Sequence, residues 1–154
     1  MLIVNDFFCG GGGMGHGFKR AGYRFGGAWD FDKYSIMSYR RNVGKHARVA
    51  DINDMDWMHV PYADVWAFGF PCNDISRGKM GEREKLEGSK SKNFYQVMRL
   101  LEETKTNDPE AMPSILLAEN VEELGPLLPI VEAEYKSRGY RMYAKLFNSK
   151  FWGV

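Results

Sequence analysis

The chain has 154 residues, 44% of them hydrophobic and 27% charged, with a formal net charge of +1. That balance excludes a disordered tail and a membrane-embedded protein, and it lacks the basic excess of a protein that grips nucleic acid unaided. The length suits one domain, residues 1–154, which buries roughly 70% of its unfolded surface and so builds a core without disulfide or metal staples.

The N-terminus, MLIVNDFFCGGGG, has no basic start and turns acidic and glycine-rich too early for a secretion signal, so the expected compartment is the cytoplasm. No apolar run approaches the ~20 residues that cross a bilayer. Leu2–Phe7 reads as a buried strand, Gly10–Gly13 as a breaker, and Met14–Ala21 as a helix stopped by Gly22. Tyr23–Trp29 is a second strand. Asp32 caps a helix over Asp32–Asn42, with Tyr34, Met37 and Ser38 on one face. Ala47–Ile52 is a third strand and Asp64–Phe70 a fourth. Asn73–Lys90 is polar and charged, a long loop of the kind that usually carries function. Lys92–Thr104 is an amphipathic helix with Phe94, Val97, Leu100 and Leu101 inward. Pro113–Ala118 is a fifth strand, Pro129–Arg138 a helix ended by Gly139, and Tyr140–Phe147 a weakly alternating sixth strand. Strands alternating with helices imply an α/β fold: a mostly parallel sheet covered on both faces, with ligands at the carboxyl ends of the strands.

Chemistry-bearing residues gather at those ends. Gly10, Gly12 and Gly15 satisfy G-x-G-x-x-G between a strand and a helix, which lets the backbone turn tightly and approach a nucleotide. Asp30 closes the second strand about twenty residues on, where it can accept from ribose hydroxyls. The pattern indicates a nucleotide-like cofactor without separating NAD, FAD and S-adenosylmethionine; the plain alternative is a flexible turn beside a solvated carboxylate. Cys9 is read as a small residue packed on the turn. Cys9 and Cys72 form no C-x-x-C pair, and both are free thiols in a reducing compartment. His16, His46 and His59 show no metal-ligand spacing, so no metal site is expected. Arg77, Lys79, Arg83, Lys85, Lys90 and Lys92 against Glu82, Glu84 and Glu87 make the one candidate stretch for phosphate contact, or else an ordinary solvated surface.

The stretch D-F-F-C-G-G-G-G-M-G-H-G-F-K-R-A-G (Asp6–Gly22) resembles the first motif of the DNA (cytosine-5) methyltransferases, with Asp6, Phe8, Gly10, Gly12, Gly13, Gly17, Ala21 and Gly22 in register. A-W-D-F-D-K-Y-S-I-M-S-Y-R-R-N (Ala28–Asn42) is similar to the second motif. Asp30 stands there for the ribose-binding acid, and Phe31 for an aromatic that stacks on adenine. Asp51 and Ile52 in A-D-I-N resemble the segment beside the adenine amino group. G-F-P-C-N-D-I-S (Gly69–Ser76) resembles the nucleophile motif around Pro71 and Cys72, with Asn73 for the usual Gln and Ile75 for Phe. A-E-N-V (Ala118–Val121) is similar to the Glu-Asn-Val motif. The resemblance covers essentially the whole chain and stops where P-Q-x-R-x-R begins. It implies a Rossmann-like methyltransferase fold, incomplete at its C-terminus, with S-adenosyl-L-methionine as cofactor and DNA as partner.

By that resemblance Cys72 adds as thiolate to carbon 6 of a flipped-out cytosine, Glu119 holds the base edge and protonates its N3, and Asn120 supports the loop. Ser76, Arg77 and Lys79 would contact phosphates. The alternatives are a buried Cys72, a Glu119 that serves a helix dipole, and a Phe31 packed in the core. Three whole-protein readings follow. The chain is the amino-terminal subunit of a split enzyme whose second subunit carries target recognition; or it is a truncated, inactive methyltransferase; or it is a cofactor-binding or regulatory interaction module. Pro71-Cys72 and Glu119-Asn120-Val121 disfavour a NAD- or FAD-binding domain.

Overall fold

The computed structural model describes residues 1–70 and 92–152. Five strands form one sheet in the order β3-β2-β1-β4-β5, every neighbouring pair parallel. They are β1 (Ile3–Phe7), β2 (Arg24–Asp30), β3 (Ala47–Val49), β4 (Val65–Gly69) and β5 (Ile115–Glu119). Among the described residues four α-helices accompany them: α1 (Gly13–Arg20), α2 (Lys33–Asn42), α3 (Lys92–Asn107) and α4 (Leu128–Ser137). The inner strands β1 and β4 are buried along nearly their whole length because both faces are covered, although β1 carries the polar Asn5 and Asp6. Asp64 ties their amino ends together by accepting from the Ile3 amide at 2.7 Å.

One face of the sheet presents Phe7, Trp29, Trp66, Phe68 and Phe70 to α3 and α4. The inward residues expected on α3, namely Phe94, Val97, Leu100 and Leu101, are all fully buried there. Each such side chain contributes roughly 1.5–3 kcal/mol relative to exposure. The other face presents Val4, Val65 and Ala67 toward Met14 and Phe18 of α1, and Ala28 toward Ile36 and Tyr39 of α2.

Three local expectations need correction. Tyr34, Met37 and Ser38 do share a face of α2, but it is the exposed one; Ile36 and Tyr39 are the buried pair. The helix rotates this way because Tyr39 packs against Gly12 and Gly15, where an added Cβ would lie 3.1 and 2.5 Å from its ring and hydroxyl. The third strand is short, and Ile52 leaves it for a 3-10 turn, Ile52–Asp54, capped by Asp51. Tyr140–Phe147 has no strand structure. A strand exists only by pairing, and this stretch has no ladder partner among the described residues. No helix among the described residues is long and apolar enough to cross a membrane.

Candidate active site

The strand order puts β1 beside β4, and the chain leaves β1 toward β2 but leaves β4 toward β5, in opposite directions, which opens a crevice at their carboxyl ends. The chain leaves β1 through Phe8 at φ 53°, Gly10 at φ 50° and Gly12 at φ 96°. A left-handed non-glycine residue such as Phe8 is uncommon and costs of order 1 kcal/mol, which the surrounding turn must hold in place. Two backbone bonds do so: the Cys9 amide donates to the Trp29 carbonyl at 3.1 Å, and the Gly12 amide to the Cys9 carbonyl at 3.0 Å.

The glycines of this turn divide into two kinds. A Cβ on Gly12 would lie 2.6 Å from Val43 Cγ2, and one on Gly15 would lie 2.5 Å from the Tyr39 hydroxyl. Those two serve helix packing. A Cβ on Gly10 or Gly13 would meet nothing within 4 Å. These two leave backbone bare toward open space at the strand end, where a ligand can approach it.

Asp30 closes β2 beside the turn. Its Oδ2 accepts from the Gly10 amide at 2.9 Å and its Oδ1 from the Asp32 amide at 2.9 Å. The carboxylate therefore clamps the glycine turn, and each oxygen keeps a lone pair for a hydroxyl. Phe31 follows it, 69% exposed, which removes the core-packing alternative for that ring. Asp32 caps α2 as expected, accepting from the amides of Tyr34 and Ser35 at 3.2 and 3.0 Å. The Ser35 hydroxyl and these amides hold its carboxyl below the usual range.

Asp51 is exposed, and its Oδ1 takes bonds from the Asn53 amide at 2.9 Å and the Asn53 side chain at 2.6 Å. Ile52 is buried in the core beside it. Arg99 of α3 braces this segment: its Nη2 donates to the carbonyls of Ile52 and Met55, both at 2.9 Å, while its Nη1 pairs with Glu103 at 2.6 Å. Arg99 escapes sequence reading, since an arginine four residues before a glutamate on an amphipathic helix looks like an ordinary surface pair.

Asp6 is sealed under the turn at 0% exposure. Its Oδ2 accepts from the Tyr39 hydroxyl at 3.3 Å, while its Oδ1 has no partner among the described residues. Burial pushes its carboxyl up to about 7, and the nearby Asp30 charge adds to that rise. Cys9 is buried, and burial likewise pushes its thiol up, away from the thiolate. It is a packing residue, as its sequence context suggests.

Across the crevice, β4 and β5 end in register, Gly69 opposite Glu119. A Cβ on Gly69 would lie 3.1 Å from Glu119 Oε2, so the carboxylate rests against the bare end of β4. Glu119 is exposed at a strand end, ahead of a 3-10 turn that begins at Glu122, and is not a cap of any helix. Asn120 donates from Nδ2 to the Phe70 carbonyl at 3.0 Å and accepts from the Val121 amide at 2.9 Å. It thereby fixes the last described residue before Pro71. Pro71, Cys72, Ser76, Arg77 and Lys79 lie outside the described residues.

The whole chain aligns with known proteins. It is 30% identical to the type II methyltransferase M.Bsp6I of Bacillus sp. (strain RFL6), covering 99% of this chain and 48% of that protein. It is 27% identical to the type II methyltransferase M.NlaX of Neisseria lactamica, covering 100% and 49%. The chain thus spans about half the length of the curated relatives it matches. Its fold superposes on the S. pombe Dnmt2 methyltransferase with a TM-score of 0.79 at 19% identity, over 100% of this chain and 47% of that one. A putative DNA modification methyltransferase from an E. coli prophage superposes with a TM-score of 0.62 at 20% identity, over 89% and 38%. The fold is the Rossmann-like one of S-adenosylmethionine-dependent methyltransferases. The model of the C-5 cytosine-specific DNA methylases matches residues 2–154, and the chain belongs to that family.

Proposed function

We propose that this chain supplies the cofactor-binding and nucleophile-bearing part of an enzyme that methylates carbon 5 of cytosine in DNA. The observation that carries the reading is the paired end of β4 and β5, where Glu119 rests on Gly69 and Asn120 holds the Phe70 carbonyl, two residues ahead of Cys72.

S-adenosyl-L-methionine fits the residues at the β1–β2 end. The bare backbone at Gly10 and Gly13 admits its close approach, Asp30 has lone pairs for ribose hydroxyls, and the exposed Phe31 ring offers a face for adenine. Asp51 has its Oδ2 free of hydrogen bonds among the described residues and can take the adenine amino group. Phe8, Gly12 and Ile52 hold the walls, and Asp6 sits beneath the turn. When bound, the cofactor supplies an electrophilic methyl group on sulfur.

Cytosine carbon 5 is a weak nucleophile in the free base. Cys72, as thiolate, adds to carbon 6 and pushes an electron pair toward carbon 5. Glu119 gives a proton to N3 as that charge develops. The cofactor would supply the methyl group to carbon 5 so activated; a base would then take the carbon 5 proton, Glu119 would take back the N3 proton, and the thiolate would leave carbon 6 to restore the double bond. The base reaches Cys72 only outside the duplex. Ser76, Arg77 and Lys79 contact the phosphates around it. Target recognition and turnover need, besides these residues, a part equivalent to the half of its relatives that this chain does not span.

Calorimetric titration of S-adenosylmethionine into the purified chain tests the cofactor half. Micromolar binding is expected, weakened about tenfold or more in Phe31→Ala, whose exposed ring has no packing role to lose. Unchanged affinity in Phe31→Ala together with Asp30→Ala would sink the assignment. Cys72→Ser is expected to abolish turnover in any reconstituted enzyme, and retained turnover would refute the role of Cys72.

A further inference from the structure

Asp6 is fully buried and takes no part in the chemistry proposed above. Its Oδ1 has no partner among the described residues, and its Oδ2 meets the Tyr39 hydroxyl at 3.3 Å. The same hydroxyl lies 3.3 Å from His46 Nε2. Tyr39 is itself fully buried, and the His46 ring stands edge-on to it, with 5.4 Å between centroids. His46 is half-buried and stacks on Phe25 of β2 at 4.3 Å. Its Nδ1 bonds no described residue and lies beside Gly44, where a Cβ would come within 2.8 Å, so that nitrogen is left to solvent. Three groups thus run in series from beneath the glycine turn to the surface.

Tyr39 has one hydroxyl proton and two neighbours, so the series has two polarities. With Asp6 ionised, Tyr39 donates to Oδ2, and His46 donates to the Tyr39 oxygen from an Nε2 proton. With Asp6 protonated, its carboxyl donates to the Tyr39 oxygen, Tyr39 donates to Nε2, and the ring proton sits on Nδ1. Ionisation of Asp6 moves three protons one step each: from Asp6 to Tyr39, from Tyr39 to His46 Nε2, and from His46 Nδ1 to water. Tyr39 and His46 end neutral, as they began. Burial and the Asp6 charge push the Tyr39 hydroxyl up, so it hands protons on without becoming a phenolate. Burial and Lys19 hold His46 below its ordinary value, which favours the neutral ring near pH 7.

The charges facing the series come from every element around it. At the inner end burial raises the Asp6 carboxyl to about 7, and Asp30 of β2 adds to the rise. Cys9 beside it is a thiol held un-ionised by burial, and β4 sets only Ala67 against Asp6. At the outer end Lys19 of α1 donates to the Val43 carbonyl and Arg40 of α2 to the Ala47 carbonyl, on either side of His46. A group so balanced changes state in response to one added charge.

We propose that Asp6, Tyr39 and His46 form a proton relay through which a cationic ligand in the glycine-turn crevice expels the Asp6 proton to solvent. The inference rests on the S-adenosylmethionine reading above. That cofactor carries a sulfonium charge, and a positive charge near Asp6 favours its ionised form. S-adenosylhomocysteine lacks the charge and leaves the proton in place, so the relay distinguishes the loaded cofactor from its spent form.

Nitrogen-15 NMR of the purified chain reads the His46 tautomer, with His46→Gln assigning its signals among the three histidines. In the free chain the ring proton should move from Nδ1 to Nε2 as pH rises through about 7. Asp6→Asn and Tyr39→Phe, each made alone, should abolish that inversion. Both nearly keep the volume of the side chain, so circular dichroism should find them folded. Just below the midpoint, saturating S-adenosylmethionine should invert most of the population, and saturating S-adenosylhomocysteine should shift it several-fold less. A tautomer indifferent to pH, or an inversion that survives in Asp6→Asn or Tyr39→Phe, overturns the relay. An equal response to both ligands overturns the part given to the cofactor's charge. Failure of both ligands to bind defeats the functional reading and that part with it, while the inversion of the free chain with pH decides the relay by itself.

Discussion

Asp6 is a carboxylate held where a carboxylate is expensive. With its carboxyl pushed up to about 7 by burial, the folded chain keeps a proton there that the unfolded chain releases near pH 4. Between those values the folded state binds more protons than the unfolded state, so this residue's contribution to stability falls as pH rises and levels off above about 7. Asp6→Asn keeps an acceptor for Tyr39 and cannot ionise. Its melting temperature should exceed that of the parent at pH 8 and lose the advantage toward pH 4; parallel melting curves across that range would show that Asp6 is not buried as described. The glycines give a second contrast at the same scale. Gly12→Ala combines a left-handed φ of 96° with a contact of 2.6 Å to Val43 Cγ2. It should destabilise by about 2–4 kcal/mol in chemical denaturation. Gly13→Ala meets nothing within 4 Å, lies at the start of α1, and should be neutral to slightly stabilising while weakening cofactor binding.

Among the elements, those whose pattern is self-sufficient are the ones legible in the sequence. β1 and β4 read as apolar runs, α3 reads from its spacing, and the Asp32 cap reads from residue type alone; all appear within a few residues of expectation. What escaped depends on contacts between elements. The rotation of α2 follows from Tyr39 reaching two glycines of α1, and the loss of strand structure in Tyr140–Phe147 follows from a missing ladder partner. In the site, spacing offered Asp30 and the family resemblance named Glu119 and Asn120, but neither revealed that Asp30 clamps Gly10 or that Asn120 holds Phe70. The second of these has a measurable consequence. Asn120→Ala removes two side-chain bonds to backbone, about 1 kcal/mol of stability each, and frees the strand end that leads to Cys72. In a reconstituted enzyme kcat should fall while KM for the cofactor holds. An equal rise in KM would mean that Asn120 supports the cofactor side instead.

Among the described residues, a set of cations lies at the edge of the sheet opposite the crevice. Helices α1 and α2 run back against the parallel strands, so their last turns, bearing Lys19 with Arg20 and Arg40 with Arg41, lie at the amino edge of the sheet. Arg24 opens β2 at that same edge, and Lys45 follows α2. The crevice lies at the other edge, lined by Asp30, Asp51 and Glu119, with Phe31 as its exposed ring. Phosphate contact drives duplex binding and falls steeply with salt, so its strength follows the cations that can face the DNA as the base enters. Those in the last turns of α1 and α2 and at the start of β2 face away. Arg77 and Lys79 are the cations assigned to the phosphates, and two contacts give a shallow salt dependence, a slope near −2 on a log–log plot against roughly −6 to −9 for a protein with six to ten. Fluorescence anisotropy of a labelled duplex with the chain alone should therefore give weak binding with a shallow slope, removed by Arg77→Ala with Lys79→Ala and indifferent to Arg20→Ala with Arg41→Ala. Tight binding with a steep slope, lost on neutralising Arg20 and Arg41, would place the duplex on the amino edge of the sheet, where no residue assigned to the chemistry can reach a base.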